Sequence, residues 1–157
     1  MIPGERGCRV ADRRITVDAW ESLFRAQVAI MRRLASGFPS ELISLNEYDV
    51  LFNLSLQPER SLRMRDLNKT ALISQPSISR LVDRLTSRGI LSKRDDPEDG
   101  RGTIVTLTDD GYELFRRVAV LHIRSITATI GDALDEDELV ELGNLCERLR
   151  AGLPDEH

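Results

Sequence analysis

The sequence predicts a mainly α-helical chain with a small β-hairpin, in the order α-α-α-α-β-β-α-α. Three observations carry that expectation. Apolar residues recur at threes and fours through most of the chain, two β-favouring segments bracket a Pro/Gly/Asp-rich connection at residues 95–102, and helix start and stop residues punctuate the rest. The 157 residues are 41% apolar, enough for a core of one ordinary domain. The 31% that are charged interleave with Leu, Ile and Val at helical spacing, so the main body does not read as disordered.

Residues 1–14 carry four arginines and no apolar period, and read as a mobile tail. From Thr16 to about Phe38, Val17, Trp20, Phe24, Val28, Met31, Leu34 and Ala35 line one side of a long helix, which Gly37-Phe38-Pro39-Ser40 ends. A second helix runs from Leu45 or Asn46 to Leu56, burying Tyr48, Leu51, Phe52 and Leu54. A short third helix, entered through Ser61, covers about Arg63 to Lys69. After Thr70-Ala71-Leu72-Ile73, Ser74 is a good N-cap for a fourth helix ending at Arg88. Pro76 fits there because the first turn has no helical partner for its missing N–H. Gly89 then provides a left-handed stop, with Ile90 folding back on the helix. Ile90 to Arg94 and Thr103 to Leu107 form the hairpin arms around a polar turn from Asp95 to Gly102. Thr108 caps a long helix with Leu114, Phe115, Val118, Leu121, Ile123, Ile126 and Ile130 on it, Asp109 and Asp110 suiting the positive end of its dipole. Beyond Gly131 to Asp135, a last helix uses Leu139, Leu142, Leu145 and Leu149.

A helix, a four-residue turn, a helix and then a hairpin is the winged helix-turn-helix arrangement, which fits a DNA reader. The net charge of −4 hides an asymmetry. Between Arg60 and Arg101 stand ten Lys and Arg against six acids, a local +4 that leaves −8 for the rest of the chain. On the fourth helix Ile78, Leu81, Val82 and Leu85 share the side that packs on the third helix through Leu67. Pro76, Ser79, Arg80, Asp83 and Ser87 share the opposite side, with Ser77 and Arg84 on its flanks. Gln75, Ser77, Ser79 and Arg80 at its N-terminal end are groups that base edges and phosphates accept. Asp83 would repel phosphate, and reads as an internal brace for Arg80 or Arg84. At the hairpin tip Arg101 stands between Gly100 and Gly102 and can enter a minor groove, with Asp99 holding it when DNA is absent.

The stretch from Ser61 to Gly111 resembles the DNA-binding core of the MarR family of bacterial regulators. Three pieces carry the likeness: SISRLVDRLTSRGIL, the wing tip Asp99-Gly100-Arg101, and the Val-x-Leu-Thr-x-x-Gly exit from Val105 to Gly111. Pro76, where a small polar residue is more usual, and Gly102 after the wing arginine depart from the pattern. The resemblance implies a winged helix-turn-helix at 40–108, flanked by dimerisation helices at 15–38 and 109–152. In that arrangement two subunits intertwine their terminal helices and read the halves of a pseudo-palindrome in adjacent major grooves. It also implies DNA contacts by Gln75, Ser77, Ser79, Arg80, Arg84 and Arg101, with Pro76 at the same helix end. Independently, Leu114, Val118, Leu121, Leu142, Leu145 and Leu149 give the last two helices wider apolar faces than one small domain can cover, which points to a homodimer.

The likeness further implies a small aromatic or phenolic effector that binds between the dimer helices and the winged domain and weakens DNA binding, so that a repressor is released. Its candidate lining here is Trp20, Phe24 and His122. The alternative is that Trp20 and Phe24 are core and His122 a satisfied interface residue.

Other classes find less support. The only histidines are His122 and His157, and there is no nucleophile motif, phosphate loop or metal-ligand spacing, so neither an enzyme nor a cofactor or metal site is expected. A winged-helix protein-interaction module that has lost DNA binding would carry an acidic or apolar fourth helix and no wing arginine. Cys8 and Cys146 are too few and too distant for a disulfide framework and read as reduced thiols, Cys8 having the polar surroundings in which a thiol can sense oxidation. With no apolar run of membrane-spanning length and no secretion signal in MIPGERGCRVADRR, a cytoplasmic location is expected.

Overall fold

A computed structural model describes residues 12–71 and 75–154. The first helix, α1, spans Arg13–Ser36 and is capped by Asp12, whose carboxylate accepts the Arg14 N–H at 2.7 Å. It therefore starts three residues before the expected Thr16 and takes in the last two residues of the expected tail. Residues 1–11 of that tail, with Cys8, lie outside the described residues. Gly37 closes the helix as expected, donating to the carbonyls of Leu34 and Ala35.

Helix α2 (Leu45–Ser55) opens with a capping box. Ser44 Oγ accepts the Glu47 N–H, and the Glu47 carboxylate accepts the Ser44 N–H. The spelling Ser44-Leu45-Asn46-Glu47 carried this signal. After a 3-10 turn at Pro58–Arg60 the chain forms β1 (Ser61–Arg63) and only then α3 (Met64–Thr70). The sequence reading placed Ser61 at a helix entrance. Instead Ser61 pairs with Thr106 across the sheet, their hydroxyls 2.7 Å apart.

Helix α4 covers Gln75–Ser87; its expected cap, Ser74, lies outside the described residues. Its C-terminal stop is the expected one. Gly89 has φ +73°, its N–H reaches the Thr86 carbonyl, and the Ile90 N–H reaches the Leu85 carbonyl. Strands β2 (Leu91–Asp96) and β3 (Asp99–Leu107) run closer to the tip than expected, leaving a tight turn at Pro97 and Glu98 in place of an eight-residue loop. The sheet is antiparallel, in the order β1-β3-β2.

Helices α5 (Asp109–Ile130) and α6 (Glu136–Ala151) complete the chain. The Thr108 hydroxyl accepts the Gly111 N–H and donates towards the carbonyls of Gly89 and Ile90, so one cap anchors α5 to the end of α4. The core lies under the helix-turn-helix and is built from Val50, Leu51 and Leu54 of α2, Leu67 of α3, Ile78, Val82 and Leu85 of α4, Val105 of β3 and Val118 of α5. By contrast, α1 buries only Leu34 and α6 buries nothing. Trp20, Phe24, Leu121, Leu142, Leu145 and Leu149 stand exposed on the single chain, but Leu114 and Val118, expected to lack cover there, are covered within it: Val118 is fully buried and Leu114 packs half-buried against the core. No helix among the described residues is long and apolar enough to cross a membrane.

Candidate nucleic-acid interface

The fully buried Ile78, Val82 and Leu85 press α4 onto the core, with Leu67 of α3 in the same cluster. Period 3.6 then fixes what faces outwards: Ser77, Ser79, Arg80, Asp83, Arg84 and Ser87 are all exposed. Gln75 and Pro76 open the helix and Arg101 lies in β3, but the side chains of these three lie outside the described residues. The helix therefore offers hydroxyls and cations along a ridge, beside a hairpin that carries the arginine.

Much of the basic island is held in ion pairs. Arg84 is turned towards α2, where its Nε and Nη2 both lie 3.1 Å from Glu47 Oε1. Arg88 Nη1 reaches the same oxygen at 3.2 Å. Burial by itself would raise the Glu47 pKa. The hydrogen bonds from Ser44 and the Arg84 guanidinium outweigh it and hold the carboxyl below its usual 4.5. Asp83 corrects an expectation, because its partner is neither Arg80 nor Arg84 but Lys93 of β2, at 2.5 Å. That pair ties the recognition helix to the wing.

The wing has a brace that the sequence reading missed. Asp96, counted there among the acids of a polar tip, is only 4% exposed; its Oδ2 takes Arg63 Nε at 2.7 Å and its Oδ1 takes the Glu98 N–H at 3.0 Å. Arg63 also pairs with Glu98, and the two acids raise its pKa. Gly102 lies against this brace: a Cβ there would stand 2.9 Å from Asp96 Cβ, which accounts for glycine after the wing arginine. Asp99 has its carboxylate 3.9 Å from Arg65 Nη1 of α3. Finding Asp96 from sequence required knowing β1, since its partner Arg63 is 33 residues away.

The three effector candidates do not converge in one chain. Trp20 and Phe24 stack at 5.7 Å on α1 and are 61% and 51% exposed, so a single chain does not use them as core. His122 is 9% exposed and meets the rings of Phe38 and Tyr48 edge-on, at 5.3 and 5.0 Å; Phe115 stacks on Tyr48 at 5.4 Å. Its Nδ1 has no hydrogen-bond partner, so it is not satisfied within the chain, and burial lowers its pKa from 6.5. Phe38, Tyr48 and Phe115 thus join His122 at the junction of α1, α2 and α5. Among the described residues no His, Cys, Asp or Glu cluster is placed to hold a metal ion.

A buried-backed recognition helix, its preceding short helix and a braced hairpin define a winged-helix DNA-binding protein. The chain belongs to the MarR family of transcriptional regulators. The family model matches residues 43–102. The chain is similar to Sco3205, a MarR family transcriptional regulator from Streptomyces coelicolor solved in complex with DNA, at 30% identity and a TM-score of 0.78 over 88% of each chain. It also resembles BpsR of Bordetella bronchiseptica, solved to explain how 6-hydroxynicotinic acid regulates its DNA binding, at 25% identity and a TM-score of 0.74 over 85% of this chain and 98% of that one. The HTH-type transcriptional repressor YetL of Bacillus subtilis (strain 168) is 25% identical over 137 residues, 85% of this chain and 82% of its own. The protein is a DNA-binding transcriptional regulator.

Proposed function

We propose that the protein is a repressor that grips a pseudo-palindromic operator as a homodimer and is released by a small aromatic acid or phenol. The observation that carries this reading is the two-sidedness of α4, with Ile78, Val82 and Leu85 sealed in the core while Ser77, Ser79, Arg80 and Arg84 face out. In this reading Gln75, Ser77, Ser79 and Arg80 address base edges and nearby phosphates, with Pro76 fixing the entry of the helix. Arg84 meets the backbone, and Arg101, steadied by Asp99, enters the minor groove. The exposed apolar faces of α1, α5 and α6 support a second copy as their cover, because an uncovered stripe of that size favours association. Two recognition helices related by a two-fold axis then require half-sites about one helical turn apart.

The effector would lodge where the dimer helices meet the winged domain, around His122 and with Trp20 and Phe24 contributed across the dimer. It would favour a dimer whose recognition helices are wrongly spaced for DNA. The regulation of BpsR by 6-hydroxynicotinic acid and the repressor role of YetL support this release mechanism.

Selecting bound sites from a random DNA pool tests the reading. Two inverted half-sites are expected, with affinity for the selected duplex falling about a thousandfold from low to moderate salt for six or so phosphate contacts. A single unrepeated site, or salt-insensitive binding, would overturn it. Hydroxylated aromatic acids titrated into the complex should loosen it, and a panel that leaves affinity unchanged would remove the effector from the proposal.

A further inference from the structure

Glu47 has more partners than a helix cap needs. A capping box uses one side-chain oxygen at the third helical position, and Gln serves there as well as Glu. Here Oε2 does that work, accepting the Ser44 N–H at 2.6 Å. The other oxygen, Oε1, accepts Arg84 Nε at 3.1 Å and Arg88 Nη1 at 3.2 Å, on a residue only 5% exposed. The negative charge is thus required only by the two arginines of α4 and its C-terminal end. Arg88 also donates from Nη2 to the Leu42 carbonyl at 3.0 Å, so the same node fastens the loop leaving α1 to the end of the recognition helix.

We propose that Glu47 is a positioning residue for DNA reading: it clamps Arg84 and the C-terminal half of α4 against α2, so that operator discrimination, more than affinity, depends on it. The proposal rests on the reading above in which α4 faces DNA. A guanidinium held on both Nε and Nη2 points in one direction and admits only a duplex whose backbone passes there. Released, it is a mobile cation on a long stem that pairs with any phosphate it can reach, which raises sequence-independent binding and blurs register. Arg88, which keeps the Leu42 carbonyl but loses Glu47 Oε1, then also lets the end of α4 shift relative to the loop that leads from α1.

The test compares the full-length wild type with Glu47→Gln and Arg88→Gln, measuring affinity for the selected operator and for a random duplex of equal length across salt, alongside melting temperature. Glu47→Gln retains the cap and removes the charge. It should bind random duplex as tightly as the wild type or more so, with a salt slope steeper by about one for each further phosphate neutralised, and lose about tenfold in the operator-to-random ratio. Arg88→Gln, which leaves Glu47, its cap and Arg84 in place, should lower that ratio in the same direction by less, and it decides the matter if Glu47→Gln fails to fold. Ratios within about twofold of wild type overturn the proposal, as does an equal fall in both affinities that tracks a lower melting temperature. A wild type that does not discriminate would instead refute the operator reading, and the inference with it.

Discussion

Gly111 sets two known effects against each other. It is the third residue of α5, and alanine is the better helix former, by up to about 1 kcal/mol in a helix interior. A Cβ at that position, however, would sit 2.1 Å from the Ile90 carbonyl oxygen, 2.8 Å from Leu107 Cδ1 and 3.0 Å from the Ile90 carbonyl carbon. The nearest obstacle is backbone and has little freedom to retreat, because the same carbonyl accepts the Thr108 N–H at 3.2 Å and the Thr108 hydroxyl at 3.0 Å. Restoring ordinary contact, which begins at 3.4 Å, requires α5 and the α4–β2 turn to separate by about 1.3 Å. Overpacking of this kind costs about 1–3 kcal/mol or more, and a first-turn position recovers less than the full propensity gain, so Gly111→Ala should destabilise by about 2 kcal/mol. For a chain of this size that lowers the melting temperature by about 4–8 °C, read by circular dichroism at matched protomer concentration. Gly143→Ala in α6 is the control: nothing lies within 4 Å of its added Cβ, so it should be neutral or stabilising by up to about 1 kcal/mol. If Gly111→Ala melts at or above the wild type, close approach of backbone is not why glycine stands there.

Three further outcomes are expected. Arg80→Ala should flatten base preference at the inner positions of each selected half-site, whereas Arg101→Ala should weaken binding across sequences; equal and negligible effects in a binding assay would mean that the DNA face is misplaced. Leu145→Glu places a charge on the exposed apolar stripe of α6 and should give a monomer in sedimentation, with operator affinity lower by about a hundredfold or more as the two half-sites lose their linkage; an intact dimer would move the interface elsewhere. Burial lowers the His122 pKa below 6.5, so the unfolded chain takes up a proton there that the folded chain resists. Stability should therefore be level above about pH 6.5 and decline as pH falls below it, and His122→Leu should remove that part of the decline in urea unfolding; a wild type more stable at pH 5.5 than at 7.5 has the opposite sign.

The parts of the fold legible in sequence are those fixed by neighbours a few residues apart. Gly89 and Ile90 form the expected stop because a left-handed residue and a hydrophobe behind it suffice to turn the chain. Thr108 caps α5 because its hydroxyl needs only the N–H three residues on. The recognition face of α4 follows from helical period alone. What stayed hidden depends on distant partners. Three residues, Ser61 to Arg63, carry no strand period of their own and become β1 only because β3 runs past them. Asp96 reads as one acid among several at a turn until that strand brings Arg63 to within 2.7 Å of it.

The same distinction explains why Trp20 looks like core in sequence yet lies open in the chain. Amphipathic period says that a face is apolar but not what covers it, and among the described residues Trp20 and Phe24 of α1 and Leu145 and Leu149 of α6 stay exposed. Buried charge behaves in the opposite way. A hydrophobic face can wait exposed for a partner, but a carboxylate enclosed as Glu47 and Asp96 are must find its cations within the same fold, since an unpaired buried charge is costly. The two acids sit where α4 meets α2 and where the wing meets β1. Those ion pairs hold α4 to α2 and the wing to β1 within one chain, whereas apolar residues of α1, α5 and α6 stay exposed on it. If two copies pair through those faces, as proposed, an effector that changes their spacing without unfolding the winged domain would act through α1, α5 and α6.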